Sequence, residues 1–227
     1  MNQSPERADS MGFRSAWERY GSLGLLRLIR DTLLTRVWFP GCRIVRYPFY
    51  VRGQTAIRIG KGFTAGVGLR LDAFPRDAFR LNGSAGVAGV CLTIGDRVEV
   101  NDYVHIGAIE SVTIGNDVLI ASKVFISDHD HGTYSGPREH SSPESRPADR
   151  PCQSTPVVIE DRVWLGESVC VLPGVKIGAG SIIGAHSVVT RDIPVNCLAV
   201  GSPARVVKRF CPVSRRWEPA KDAGSGA

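Results

Sequence analysis

The densest chemistry in this chain sits in one octet, Ser127-Asp128-His129-Asp130-His131-Gly132-Thr133-Tyr134. It follows a short apolar run, Val124-Phe125-Ile126, and opens a long polar stretch. A neutral imidazole in such a place can take a proton from a hydroxyl near neutral pH, which is what acyl transfer to an alcohol requires. His129 and His131 are both candidates for that base, and Asp128, Asp130 or a backbone carbonyl would orient the ring. A solvated polar corner without a role is the plain alternative. A metal centre is another, because imidazole and carboxylate are good ligands and His105 lies earlier in the chain. Asp-His-Asp-His has no defined ligand spacing, however, and His105 between Val104 and Ile106 reads as a packed or corner residue. No metal site is expected.

The elements that must hold the octet are announced by a period of six. Leu165, Val171, Ile177, Ile183, Val189 and Val195 form one run, and Val157, Val163, Val169 and Val175 run beside it. An earlier block reads Ile94, Val100, Ile106, Val112, Val118 and Val124. Six is neither the helical period nor the plain strand period. It is the mark of a hexapeptide-repeat parallel β-helix, whose aliphatic residues fill a narrow interior while Gly and polar residues turn the corners. Residues 128–156, rich in Ser, Pro, Asp, His and Arg, separate the two blocks, and a loop of that length inside a domain is usually functional or disordered.

Residues 1–12 read as a tail. Over residues 15–38, Leu25, Leu26, Ile29 and Leu33 share one helical face, with Arg27 and Asp31 opposite. Residues 39–75 read as irregular first strands that cap the prism and hide its open edge. The expected division is 1–75 for tail, amphipathic helix and capping strands, 76–210 for the β-helix with its loop 128–156, and 211–227 for a C-terminal tail.

The net charge of +6 is concentrated in residues 1–60, where ten Arg face four acidic residues, and the remainder balances. A neutral repeat body without a basic, aromatic-laced stripe argues against nucleic acid. Two readings fit the Arg-rich segment 14–58: a structural cap, or peripheral contact with an anionic membrane face. Mean hydropathy is near zero and no apolar run approaches the roughly 18 residues of a membrane span. Six cysteines show no framework spacing, and Cys170 between Val169 and Val171 reads as a buried small hydrophobe. Without a secretory leader, a reducing cytoplasm is expected.

One stretch carries a resemblance. Trp164-Leu165-Gly166, Leu172-Pro173-Gly174-Val175, Ile177-Gly178, Gly184-Ala185, Ser187-Val188-Val189-Thr190-Arg191-Asp192-Ile193-Pro194 and Gly201-Ser202-Pro203-Ala204-Arg205 resemble the left-handed β-helix acyltransferases. The similarity covers roughly residues 90–210 and is nearest to the maltose/galactoside acetyltransferase branch and to bacterial polysaccharide O-acetyltransferases. It implies left-handed coils, against the usual right-handed crossover rule. It also implies a homotrimer with its sites between subunits, and acetyl-CoA as donor.

Carried over by position, ungapped counting from Ile114-Gly115-Asn116-Asp117-Val118-Leu119-Ile120-Ala121 puts the family's catalytic histidine at His131, with His129 two residues early. Asn101 falls on an acceptor-binding position, and Tyr134 at the loop mouth is grouped with it. Trp164, Gly166, the amide of Glu167, Gly184 and the amide of Ala185 match positions around the thioester and pantetheine. Thr190, Arg191, Arg205 and Lys208 match those around the nucleotide end, where phosphates call for cations. These cations would otherwise merely solvate the last coil.

The loop after Gly132 is longer than in the simple sugar acetyltransferases, which fits larger glycan or lipid-linked acceptors. The implied activity is O-acetylation of a sugar hydroxyl in an O-antigen, capsule or exopolysaccharide precursor, in the cytoplasm or at the inner membrane face. N-acetylation of an amino sugar nucleotide, a γ-type carbonic anhydrase and a non-catalytic scaffold are the alternatives.

Overall fold

A computed structural model describes residues 13–74, 89–134, 136–137 and 139–220, so the expected tail at residues 1–12 lies outside the described residues. The six-residue period becomes a three-faced parallel coil. Its faces are sheets of nine, six and five strands, and each strand before the C-terminal hairpin bonds to its counterpart one coil away. Alternation sends Val, Ile and Leu inward in pairs, as with Val157 and Ile159, or Val169 and Val171, all at most 1% exposed.

Corners close with left-handed residues at repeating places. Tyr103, Lys123, Ser168 and His186 take φ of 57–59° at one corner, and Arg97, Asp117 and Arg162 take 54–57° at another. The inward register ends early. Val195 is 55% exposed, and Ile193 takes the inward place and bridges Ile177, because the chain turns after Val189 in four residues and not six.

The strands of residues 39–75 are regular members of the three faces. Ile44–Val45, Phe49–Arg52 and Ile57–Ile59 pair in parallel with the coil that follows. The expected loose C-terminal tail is also corrected. Ala204–Cys211 turns back antiparallel on Cys197–Gly201, and Arg216–Pro219 adds a further antiparallel strand. This hairpin covers the edge that the last coil would otherwise expose.

The helix Phe13–Trp38, interrupted at Gly21, packs on the first strand as a cap, but not through the expected stripe. Leu25 is buried, whereas Leu26, Ile29 and Leu33 are 63%, 56% and 56% exposed. Asp31 and Thr35, both 2% exposed, face the body instead. Thr35 Oγ1 accepts the Val45 amide at 2.8 Å, and Asp31 Oδ1 accepts that of Tyr47 at 3.2 Å. An end strand offers unpaired amides, so its cap needs acceptors more than leucines. Apolar periodicity alone therefore chose the wrong face. Cys170 is likewise only half-buried, since its strand turns Val171 inward.

Candidate active site

The octet begins where the chain leaves the six-stranded face. Asp128 is fully buried, and its carboxylate accepts the amides of Ile109, Glu110 and Ser111 at 2.8–3.1 Å. Those three amides turn the corner of the preceding coil, so Asp128 pins the root of the loop to the prism. Its Oδ1 also lies 2.9 Å from His129 Nδ1. A carboxylate can only accept, so Nδ1 is the donor in this contact. Ser127 Oγ accepts the His129 amide at 3.2 Å and donates to its carbonyl at 3.0 Å.

Within the expected loop, His129–His131 pairs antiparallel with Cys152–Ser154, and Thr155 returns its amide to the Asp128 carbonyl. Strand alternation puts His129 and His131 on one side of this hairpin and Asp130 on the other. His131 is exposed, with Nδ1 3.6 Å from Cys152 Sγ. Burial and the Asp130 charge push the Cys152 thiol up, which keeps it protonated at neutral pH. The Tyr134 hydroxyl donates to the His131 carbonyl and accepts from Arg150 Nη1 at 2.8 Å, bracing the histidine backbone. Asp130, Thr133, Tyr134, Gln153 and Pro173 line an open groove of about 480 Å³ on the hairpin.

The other expected residues fall into two groups. Asn101, Gly166, Glu167, Gly184 and Ala185 stack at the corner between the nine- and six-stranded faces, linked through the bonds Lys123 N to Asp102 O, Ser168 N to Ser122 O and His186 N to Glu167 O. Coils approach closely there. A Cβ on Gly166 would meet the Ala185 nitrogen at 2.7 Å, and one on Gly184 would meet Val200 at 2.6 Å. Trp164, 48% exposed, stands beside this corner, and Glu167 pairs with Lys123 at 3.5 Å. Thr190 and Arg191 lie instead at the corner where the loop leaves, while Arg205 and Lys208 sit exposed on Ala204–Cys211. His131 and the Asn101–Ala185 stack thus flank opposite edges of the six-stranded face. One chain does not bring them together.

Among the described residues no group of three or more His, Cys, Asp or Glu is placed to hold a metal ion. Sequence spacing did not signal one charged cluster, Asp72 with Arg52, Arg70 and His105 on the six-stranded face. Its only trace was the alternation Tyr50-x-Arg52 and Arg70-x-Asp72 in strands that carry no six-residue repeat.

Residues 156–191 match the family described as bacterial transferase hexapeptide (six repeats). The chain is 51% identical over 203 residues, 89% of its length and 97% of the other, to an Escherichia coli (strain K12) protein named for lipopolysaccharide biosynthesis O-acetyl transfer, WbbJ. The chain belongs to the hexapeptide-repeat transferases, and it is an acetyltransferase.

Two solved structures share the fold. An N-acyltransferase from Bacillus cereus, AntD, in complex with dTDP and coenzyme A, gives a TM-score of 0.60 at 18% identity, over 81% of this chain and 91% of that one. A hexapeptide-repeat acetyltransferase from Vibrio cholerae, in complex with acetyl coenzyme A, gives 0.53 at 24%, over 90% and 92%. The coil is the left-handed β-helix of this family.

Proposed function

We propose that the protein moves an acetyl group from acetyl-CoA to a hydroxyl of a sugar in a lipopolysaccharide or related envelope-polysaccharide precursor. The observation that carries this reading is 51% identity, sustained over 89% of the chain, to a relative named for that chemistry. His131 is the base. It is the exposed histidine of the pair and is braced by Tyr134, whereas His129 is tied to Asp128 and its side chain is 18% exposed.

In the proposed step His131 takes the hydroxyl proton and the sugar oxygen bonds to the thioester carbonyl carbon. The carbonyl pair moves onto oxygen, where the amides of Glu167 and Ala185 hold it, a contribution of about 3 kcal/mol per donor in other enzymes. Collapse breaks the C–S bond and releases coenzyme A, which takes up the proton. Thr190, Arg191, Arg205 and Lys208 attend the phosphates. The separation of His131 from the Glu167–Ala185 corner supports a homotrimer in which one subunit's histidine faces its neighbour's corner.

A reaction using acetyl-CoA belongs in the cytoplasm. No helix among the described residues is long and apolar enough to cross a membrane. The test is thioester cleavage against a panel of free sugars, glycans, sugar nucleotides and amino sugars, with product masses. An acetyl ester on a sugar is expected. Acetylation confined to amines would overturn the reading.

A further inference from the structure

Across the six-stranded face, Tyr50, Arg70, His105 and Phe125 form one row of register partners, and Arg52, Asp72, Gly107 and Ser127 form the next. Both rows point outward, because Leu71, Ile106 and Ile126 between them are buried. Asp72, with a side chain only 4% exposed, is held by Arg52 through two bonds of 2.6 and 2.8 Å and by Arg70 Nε at 2.7 Å. His105 Nε2 lies 3.0 Å away. Burial lowers the pKa of His105, so at neutral pH two guanidiniums share one carboxylate and the cluster keeps a positive charge.

Tyr50 lies 5.5 and 5.9 Å from the two guanidinium carbons, and the Phe74 ring 4.6 Å from that of Arg52. The pair is therefore pre-oriented, and N–H groups not spent on Asp72 remain on both forks. They border an open groove of about 510 Å³ with Pro48, Tyr50 and Gly68. Fixed guanidinium pairs with excess charge match the oxygens of a phosphate or diphosphate.

Gly107 follows Asp72 in its row and has no side chain, and the His129 ring lies over it, with Cε1 3.3 Å from where a Cβ would stand. Neighbouring strands are about 4.8 Å apart, so Asp72, which holds both arginines, stands one strand from Gly107 beneath the His129 ring, and Arg52 stands two strands from it. His131 lies on the same side of its strand, roughly 7 Å further on. That interval is about one sugar ring.

We propose that Arg52 and Arg70 bind the diphosphate of a glycosyl-diphosphate acceptor, laying its sugar across His129 so that a hydroxyl reaches His131. The proposal rests on His131 as base. A sugar nucleotide and a polyprenyl-diphosphate sugar share this chemistry, and the experiment separates them.

Full-length protein saturated with coenzyme A, so that the donor's phosphate site is filled, is titrated with inorganic pyrophosphate, a nucleotide-diphosphate hexose and a short polyprenyl-diphosphate hexose in detergent. The wild type should bind pyrophosphate and at least one glycosyl diphosphate, and Arg70→Gln, which leaves Arg52 on Asp72, should weaken both at least about tenfold. Arg70→Lys should recover part of the loss. In kinetics, Arg70→Gln should raise the acceptor KM while kcat and the acetyl-CoA KM stay within about twofold, the pattern of a lost binding contact.

Whichever hexose binds more tightly names the source. No binding of any diphosphate by the wild type, or equal affinity in Arg70→Gln, would overturn the site. Should His131→Ala keep full activity while pyrophosphate binding still depends on Arg70, the base assignment fails and the anion site stands.

Discussion

Gly107 and the His129 ring share one small space on the six-stranded face, and the glycine leaves the room that the edge of the ring occupies. A methyl at position 107 would sit 3.3 Å from His129 Cε1, tighter than ordinary contact, so the ring would have to shift by a few tenths of an ångström. Gly107→Ala should leave thermal stability close to wild type and lower kcat/KM for the acceptor by about tenfold, since small misplacements at a site are costly. Steady-state kinetics beside a melting curve checks this. Unchanged kinetics would remove His129 from the acceptor's surroundings.

Stability should decline over two separate pH ranges as acid is added. Burial opposes ionisation of Asp72, but hydrogen bonds from Arg52, then Arg70 and His105, outweigh it and hold the pKa at about 2. Its contribution is complete above the ordinary carboxylate range, 3.8 for Asp, and is lost as pH falls from there towards 2. His105 is lowered chiefly by burial, so the fold resists its protonation and stability declines as pH drops below 6.5. Denaturant midpoints measured from pH 8 to 2 should show both declines, and His105→Gln should flatten the upper one while the lower, held mainly by Arg52 and Arg70, persists. A profile that rises on acidification would contradict the sign.

Coenzyme affinity should reside in the cations of the last coils. Arg191→Ala and Arg205→Ala should each raise the acetyl-CoA KM by about 5- to 50-fold, with kcat changing less. A donor lacking the 3′-phosphate should show the same loss with the wild type. Equal affinity for both donors would take these cations away from the phosphate.

The N-terminal helix caps the first strand, yet it turns Leu26, Ile29 and Leu33 outward in a segment rich in arginine. For an acceptor carried on lipid, that stripe should hold the enzyme at an anionic bilayer, with each Arg near the surface adding about 1 kcal/mol. Flotation with anionic liposomes should recover the wild type at low salt and less at moderate salt, and Leu26→Ser/Ile29→Ser/Leu33→Ser should stay in solution. Failure of the wild type to float at either salt would leave the helix as a cap alone.

The coil body was legible because its rule is local: one inward aliphatic residue every six positions, with glycine where coils approach, as at Gly166 and Gly184. What escaped depends on contacts between distant strands. Asp31 and Thr35 look like the outer face of an amphipathic helix until the unpaired amides of Val45 and Tyr47 are known. Arg52, Arg70 and Asp72 come together only through parallel register between strands that carry no repeat. The octet was visible by composition, but the tie from Asp128 to the amides of residues 109–111 depends on where the loop leaves the prism.

The most direct test of the account compares His131→Ala with His129→Ala in the same acetyl-transfer assay. His131→Ala should lower kcat by about 10²–10⁴-fold, the usual range for a general base, with acetyl-CoA binding nearly intact. His129→Ala should act mainly through the acceptor KM. A crippled His129→Ala beside a near wild-type His131→Ala would contradict the assignment and move the base two residues back, onto the histidine held by Asp128.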